Sequence, residues 1–354
     1  MKGMMLDYAQ PVYRPPSEAK SLIFQVTLGC SFNQCSFCDM YRNKEYSERS
    51  WDEIKAEIDL MAKHLPDTTR IFLADGDALN LSTDYMVKIV EYLYKNFLKL
   101  ERVSCYAMPM NLLKKTPEEL KKMRESGLNM LYLGIESGSD IILKKITKGA
   151  TSETIIKACK KAMETGFTLS CIIILGLGGK TYTKEHIEGT ARVVNAASPH
   201  YLGTLTLILE TGVKEEFLTK FGEEFYPIND DEALVELHDL VEQIDIKEKM
   251  VFRANHGSNA YNIAGTFPDE KDAMLEKITW LKEHPENIRP EGFRAFYWVH
   301  WDLNPGPSPC KGDVITELDH GPSKFLAKNH LNFEKLFFET RSRAYIPKNC
   351  KISN

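Results

Sequence analysis

Leu22-Ile23-Phe24-Gln25-Val26-Thr27-Leu28-Gly29-Cys30-Ser31-Phe32-Asn33-Gln34-Cys35-Ser36-Phe37-Cys38 is an apolar run that empties into a loop carrying three thiols. The β-branched stretch Leu22–Leu28 reads as a buried strand. No fourth cysteine and no histidine lies near the loop; the next histidine, His64, comes after a predicted helix. A structural zinc site takes four protein ligands, usually as two local pairs. Three local thiolates instead leave one metal position open, which suits an iron–sulfur cube with one iron free to take a small molecule. The residues leave other readings open: zinc completed by Asp39 or His64, an electron-transfer cluster, or a structural trio of buried thiols.

Working outward, a charged segment from Tyr41 to Arg49 leads to Ser50-Trp51-Asp52-Glu53, a capping box that starts a helix with Ile54, Ile58 and Met61 on one face. Strands are expected at Ile71–Ala74, Val103–Tyr106, Met130–Leu133, Leu169–Leu175 and Tyr201–Leu209. Helices are expected near Asp84–Leu98, from Thr116-Pro117 with proline in the first turn, at Thr151–Glu164 and at Lys184–Ala197. About six strands alternate with helices, which predicts an α/β fold with a parallel sheet and helices outside. That is fewer units than the eight of a closed barrel. The unusual loops all follow strands: the cysteine loop, Asp75-Gly76-Asp77, Gly134–Gly138 and Gly176–Gly179. In a parallel sheet they share one edge.

The cysteine loop resembles the cluster-binding signature of the radical S-adenosylmethionine enzymes. The wider chain resembles their branch containing oxygen-independent coproporphyrinogen oxidase and the tRNA methylthiotransferases. The usual spacing has three residues between the first two cysteines; here there are four, as in a subgroup of the branch, and the Cys35-x-x-Cys38 half is intact. The resemblance implies a partial (βα)6 TIM-type barrel, with its site at the strands' C-terminal ends and a C-terminal α+β and loop extension. It implies a [4Fe-4S] cluster held by Cys30, Cys35 and Cys38, whose free iron chelates S-adenosylmethionine. Reductive cleavage then yields a 5′-deoxyadenosyl radical that abstracts hydrogen from a substrate. An electron donor such as ferredoxin or flavodoxin is implied as partner.

Further site residues follow from the same resemblance. Phe37 takes the apolar position beside the adenine. Asp75, Gly76 and Asp77 stand where the family has Gly-Gly-Glu, which receives the methionine ammonium; Asp77 is one methylene shorter than glutamate. Glu136 matches a cofactor-touching position. Lys148 replaces an arginine that faces the methionine carboxylate, keeping the charge and losing the bidentate fork. Gly176 matches a glycine that lets the backbone approach the adenine. From the residues alone, Asp75–Asp77 is also an ordinary strand-to-helix turn, Glu136 a helix cap and Lys148 a solvent-facing cation. Gly176-Leu177-Gly178-Gly179-Lys180-Thr181 lacks the spacing of a phosphate loop.

Phe252-Arg253-Ala254-Asn255-His256-Gly257-Ser258-Asn259 gathers Arg253, Asn255, His256 and Asn259 between a strand near Met250–Phe252 and a helix near Pro268–Glu283. These four are candidate substrate contacts, against the reading of an Asx-rich structural turn. Cys105, Cys159 and Cys171 fall in predicted strands or helices and read as buried apolar side chains. Cys310 and Cys350 with His300, His320 and His330 are a second metal set, weakly supported by their wide separation.

The chain has 354 residues and a net charge of −5, with basic residues interspersed among acidic ones. Nucleic-acid binding, which leaves a basic footprint, is disfavoured, and a small-molecule substrate is preferred. Eight cysteines without dense spacing, no signal-peptide core and no membrane-length apolar run point to a reducing, cytoplasmic setting and no membrane partner. The expected organisation is a leader over 1–20, the core over 21–212, a helical and strand extension over 213–284 that completes the barrel, and an aromatic-rich tail over 285–354. The function these residues and the resemblance predict is radical cleavage of S-adenosylmethionine. The alternative is a zinc or iron–sulfur protein with a structural or electron-transfer role.

Overall fold

The protein is described by a computed structural model covering residues 6–290. Most of the expected aromatic tail, with Cys310, Cys350, His300, His320 and His330, lies outside the described residues.

The predicted first strand is divided in two. β1 (Leu22–Gln25) runs in the main sheet, and β2 (Thr27–Leu28) pairs antiparallel with β3 (Ser47–Glu48), so the cysteine segment leaves and returns through one ribbon. Val26 marks the break, its N–H bonded to Ala74 O and its O accepting from Arg49 N–H. The chain continues through α1 (Trp51–His64), β4 (Arg70–Ala74), α2 (Thr83–Asn96), β5 (Arg102–Ala107), α3 (Pro109–Lys114), α4 (Pro117–Glu125) and β6 (Leu128–Glu136). After these come α5 (Asp140–Lys145), α6 (Ser152–Glu164), β7 (Thr168–Leu175), α7 (Thr183–Ala197) and β8 (Tyr201–Thr206). The last elements are α8 (Thr211–Phe221), α9 (Asp230–Gln243), β9 (Met250–Ala254), β10 (Ile263–Phe267) and α10 (Lys271–Glu283).

Local chemistry starts these helices where the sequence places them. Ser50 and Glu53 form the reciprocal capping box of α1, Thr116 and Glu119 that of α4, and Asn229 and Glu232 that of α9. Each box satisfies two otherwise orphaned N–H groups.

One sheet carries the order β1-β4-β5-β6-β7-β8-β9-β10. Every neighbouring pair is parallel except the last, where β10 runs antiparallel to β9. Among the described residues no further strand pairs with β1 or β10 at the outer edges, and the fold is an α/β partial barrel. The six expected strands are its first six in sheet order; β9 and β10 lengthen it. The boundary expected at 212 falls in the first turn of α8.

Side chains alternate across the sheet. One face carries Leu73, Cys105, Leu131, Leu133, Cys171 and Ile173, packed under the helices in the main core. The opposite, concave face carries Ile23, Phe72, Ala74, Met130 and Tyr132, and Val12 and Tyr8 from the N-terminal segment pack into it. Each fully buried large apolar side chain contributes about 1.5–3 kcal/mol. Glu18 is wholly buried beneath that cluster. It accepts from Arg102 Nη2 at 2.8 Å, Ser104 Oγ at 2.9 Å, Tyr132 Oη at 2.6 Å and from Ser21 Oγ. Residues 6–20 thus form a strap that sets Tyr8, Val12 and Glu18 against this face, while more than half of its residues stay exposed. Cys105, Cys159 and Cys171 are buried, with the last two sulfurs 4.0 Å apart.

Candidate functional site

Because the strands are parallel, the segments after β2, β4, β6, β7 and β9 open on one mouth. Cys30, Cys35 and Cys38 lie there, half-buried and unbridged. Burial lifts all three thiols above the ordinary range, Cys38 to about 12. Each feels the charge of a neighbouring group, and Cys38 that of both other thiols. A bound cation supplies the charge that deprotonates such ligands.

Among the described residues, the one trio of His, Cys, Asp or Glu ligand atoms all within 4.8 Å of one another is His238, Asp239 and Glu242. Ligands of one tetrahedral zinc, at Zn–S of about 2.3 Å, stand about 3.8 Å apart. A cube presents a separate iron to each thiolate, so three thiolates of one loop, with no fourth cysteine or histidine near them in sequence, fit a cluster better than a mononuclear ion.

The loop is anchored on several sides. Ser36 N–H donates to Ile146 O at 3.0 Å. The ring of Phe32 lies over Gly149, where an added β-carbon would stand 2.5 Å from it. Phe37 packs with Ile142, Ile146, Ile174, Leu177, Phe217 and Phe221 in a third apolar cluster. Ser31 Oγ bonds Asp77 Oδ2. Asp77 is buried, and burial raises its carboxyl to about 6 against the pull of Ser31 and Asn111; its Oδ1 has no donor in full hydrogen-bond geometry. A buried acceptor so placed beside the thiols fits a ligand that brings an ammonium.

Asp75 is placed differently from Asp77. Its carboxylate accepts from Lys44 Nζ at 2.9 Å, Gln25 Nε2 at 3.2 Å and Gly29 N–H at 3.2 Å. That side chain serves the fold, even though burial raises its pKa against Lys44. Gly76 is covered on its side-chain face by the ring of Tyr41, which is itself buried.

Glu136 and Lys148 meet as a nearly buried ion pair, Nζ to Oε1 2.8 Å, each side chain about 10% exposed. Burial works against the Lys148 ammonium, but Glu136 and the nearby thiols Cys35 and Cys38 outweigh it and hold its pKa above the usual lysine value. Glu136 has φ +62°, and the absence of a side chain at Gly134 gives its carboxylate room to fold back over the strand.

Gly176 has φ +81°, and its N–H donates to Glu236 Oε2 of α9 at 2.7 Å. The other oxygen of Glu236 accepts from Thr183 Oγ1 at 2.9 Å, and burial raises this carboxyl to about 7. His186 is buried, its Nδ1 2.8 Å from Ser137 Oγ and its Nε2 3.0 Å from Ile174 O; burial lowers it to about 4. It ties the loop after β6 to the end of β7.

The polar group at 253–259 does not converge. Asn259 is buried and bonded to Thr206 Oγ1 and Thr204 O. His256 pairs with Ser258. Arg253 bonds backbone oxygens of Phe252 and Gly265, and Asn255 is exposed. The expected one-turn constellation is in large part a turn that bonds itself and β8.

Sequence reasoning passed over Tyr41, Arg42, Lys44, His186 and Glu236. The segment after Cys38 carried the available signal, a run of cations and an aromatic beside the metal loop; nothing near Glu236 or His186 pointed across the fold.

Residues 24–194 match the radical SAM superfamily. That stretch, just under half of the chain, carries a radical SAM domain, the domain of enzymes that use a [4Fe-4S] cluster and S-adenosylmethionine. It is 24% identical over 289 residues to the heme chaperone HemW of Bacillus subtilis, covering 80% of this chain and 73% of that one. It is 29% identical over 165 residues to the ribosomal protein uS12 methylthiotransferase RimO of Clostridium botulinum, covering 44% of this chain and 36% of that one. Coproporphyrinogen III oxidase HemN from Escherichia coli superposes with a TM-score of 0.46 at 17% identity, over 63% of this chain and 50% of that one.

Proposed function

We propose that Cys30, Cys35 and Cys38 hold a [4Fe-4S] cluster, and that S-adenosylmethionine bound beside it serves hydrogen abstraction from a small organic substrate. When bound, these groups supply a 5′-deoxyadenosyl radical at the cost of one electron, delivered by a small carrier such as a ferredoxin or flavodoxin. Asp77, whose Oδ1 has no donor in full hydrogen-bond geometry, accepts from the ammonium of the methionine moiety. Lys148, held by Glu136, faces the carboxylate. Phe37 and the backbone at Gly176 flank the adenine, and Gly76 contributes backbone. Asp75, bound to Lys44, fixes the turn that presents Gly76 and Asp77. The apolar wall of Phe37, Ile142, Ile146 and Ile174 keeps water from the site.

The observation that carries this reading is the set of three unbridged thiols in one loop at the sheet's C-terminal mouth. Anaerobic reconstitution with iron and sulfide, followed by dithionite and S-adenosylmethionine, tests it. The expected products are 5′-deoxyadenosine and methionine or their reversible equivalent, absent from Cys35→Ala. A colourless protein that retains zinc, or a cluster whose spectrum ignores S-adenosylmethionine, would overturn it.

A further inference from the structure

Four residues, Ser31 to Gln34, separate Cys30 from Cys35. The additional length is taken up at Asn33, which has φ +40°, a conformation asparagine tolerates better than most residues. Its Nδ2 donates to Tyr41 O at 2.9 Å. Three carbonyls of the cysteine segment converge on one side chain. Arg42 Nη1 donates to Asn33 O at 2.8 Å, Nη2 to Cys35 O at 2.6 Å and Nε to Cys38 O at 3.0 Å. Nη2 also stands 3.2 Å from Glu216 Oε2 of α8. From the same helix Lys220 Nζ reaches Gln34 O at 3.1 Å.

We infer that Arg42 is the positioning residue of the metal loop: its guanidinium binds three backbone carbonyls, two of them belonging to cysteines, and so fixes where the thiols stand. The inference rests on the cluster reading above. Arg42 acts through the backbone. The planar fork is what qualifies it, because five donors in fixed directions serve three divergent acceptors at once, which a lysine ammonium on a flexible stem does not. Glu216 orients the fork from α8, so the segment following β8 has a direct hold on the loop that follows β2.

The test compares wild type, Arg42→Ala, Arg42→Lys and Glu216→Gln, each first checked for a cooperative melt. In the metal-free proteins, hydrogen exchange is read at the amides of Ser36 and Cys38, which are bonded to Ile146 O and Cys35 O. After anaerobic loading, iron loss to a chelator is followed. Arg42→Ala is expected to exchange about tenfold faster at these amides and to lose iron about 10- to 100-fold faster. Arg42→Lys recovers only part of each, and Glu216→Gln shifts both by a smaller factor in the same direction. Wild-type exchange and retention in a folded Arg42→Ala would overturn the inference, as would full recovery by Arg42→Lys. Should Arg42→Ala not fold, Arg42→Lys carries the test. A wild type that takes up no cluster, while loop exchange still depends on Arg42, would count against the cluster reading and leave the loop assignment standing.

Discussion

A β-carbon on Gly76 would stand 2.5 Å from Cε2 of Tyr41 and 3.2 Å from Cβ of Cys30. The glycine after β4 is therefore fitted to an aromatic side chain of the cysteine segment, and the two loops are locked ring against backbone. Gly76→Ala is expected to cost about 1–3 kcal/mol by overpacking. The cost should shrink in a Tyr41→Ala background, where the ring is gone. A double-mutant cycle in urea measures the difference; equal costs in both backgrounds would refute the fit.

The Glu136–Lys148 pair is nearly dry. Lys148→Met leaves a buried carboxylate without its cation and is expected to destabilise the metal-free protein by about 3 kcal/mol or more. Adding Glu136→Gln to that variant should restore much of the loss. Chemical denaturation of the two variants and wild type decides it.

Glu236 makes stability depend on pH. Its folded pKa is raised to about 7 from the ordinary 4.5 by burial, so the carboxyl favours its protonated form in the fold. The contribution is fully present below about pH 4.5 and is lost as pH rises through about 7. The pH-dependent part amounts to roughly 3 kcal/mol. Glu236→Gln keeps an acceptor for Gly176 N–H and removes the titration. Its stability is expected to stay level between about pH 5 and 8, while that of wild type should decline over that window. Denaturation midpoints across the window test this.

Glu18 bonds Arg102, Ser104, Tyr132 and Ser21 at once. Glu18→Ala strands a cation and three hydroxyls, so a loss of about 3 kcal/mol is expected. A loss under about 1 kcal/mol in urea melts would show that water replaces the carboxylate cheaply.

The alternation of apolar runs and capped helices was enough to anticipate the six leading strands, because Ser50, Thr116 and the β-branched runs announce themselves locally. β10 escaped notice: Ile263-Ala264-Gly265-Thr266-Phe267 is short and interrupted by glycine, and only pairing with β9 makes it a strand. The cysteine trio was legible because its ligands are neighbours in sequence. Arg42, Lys44 and Glu236 were not, since each acquires its meaning from an acceptor or donor on another element. Lys44 looks like one more surface cation until Asp75, 31 residues away, is seen against it. The candidate loop at 253–259 shows the converse: Asn259 reads as a polar contact awaiting a ligand, yet Thr204 and Thr206 already use both ends of its amide.

Strap residues Tyr8 and Val12 occupy the hollow in front of β1, β4 and β6. By strand register, Tyr132 of that face lies beside Ser170, Ile172 beside Gly203, and Gly203 beside Arg253. Ser170, Ile172 and Gly203 are only half-buried, and Arg253 is exposed. The interior is thus lopsided, filled by the chain's own beginning on one flank and lined by small or uncovered residues on the other. The second flank therefore has room that the first has not, and a larger side chain at Gly203, beside Ile172 and Arg253, is expected to be accommodated there more readily than one added beside Val12.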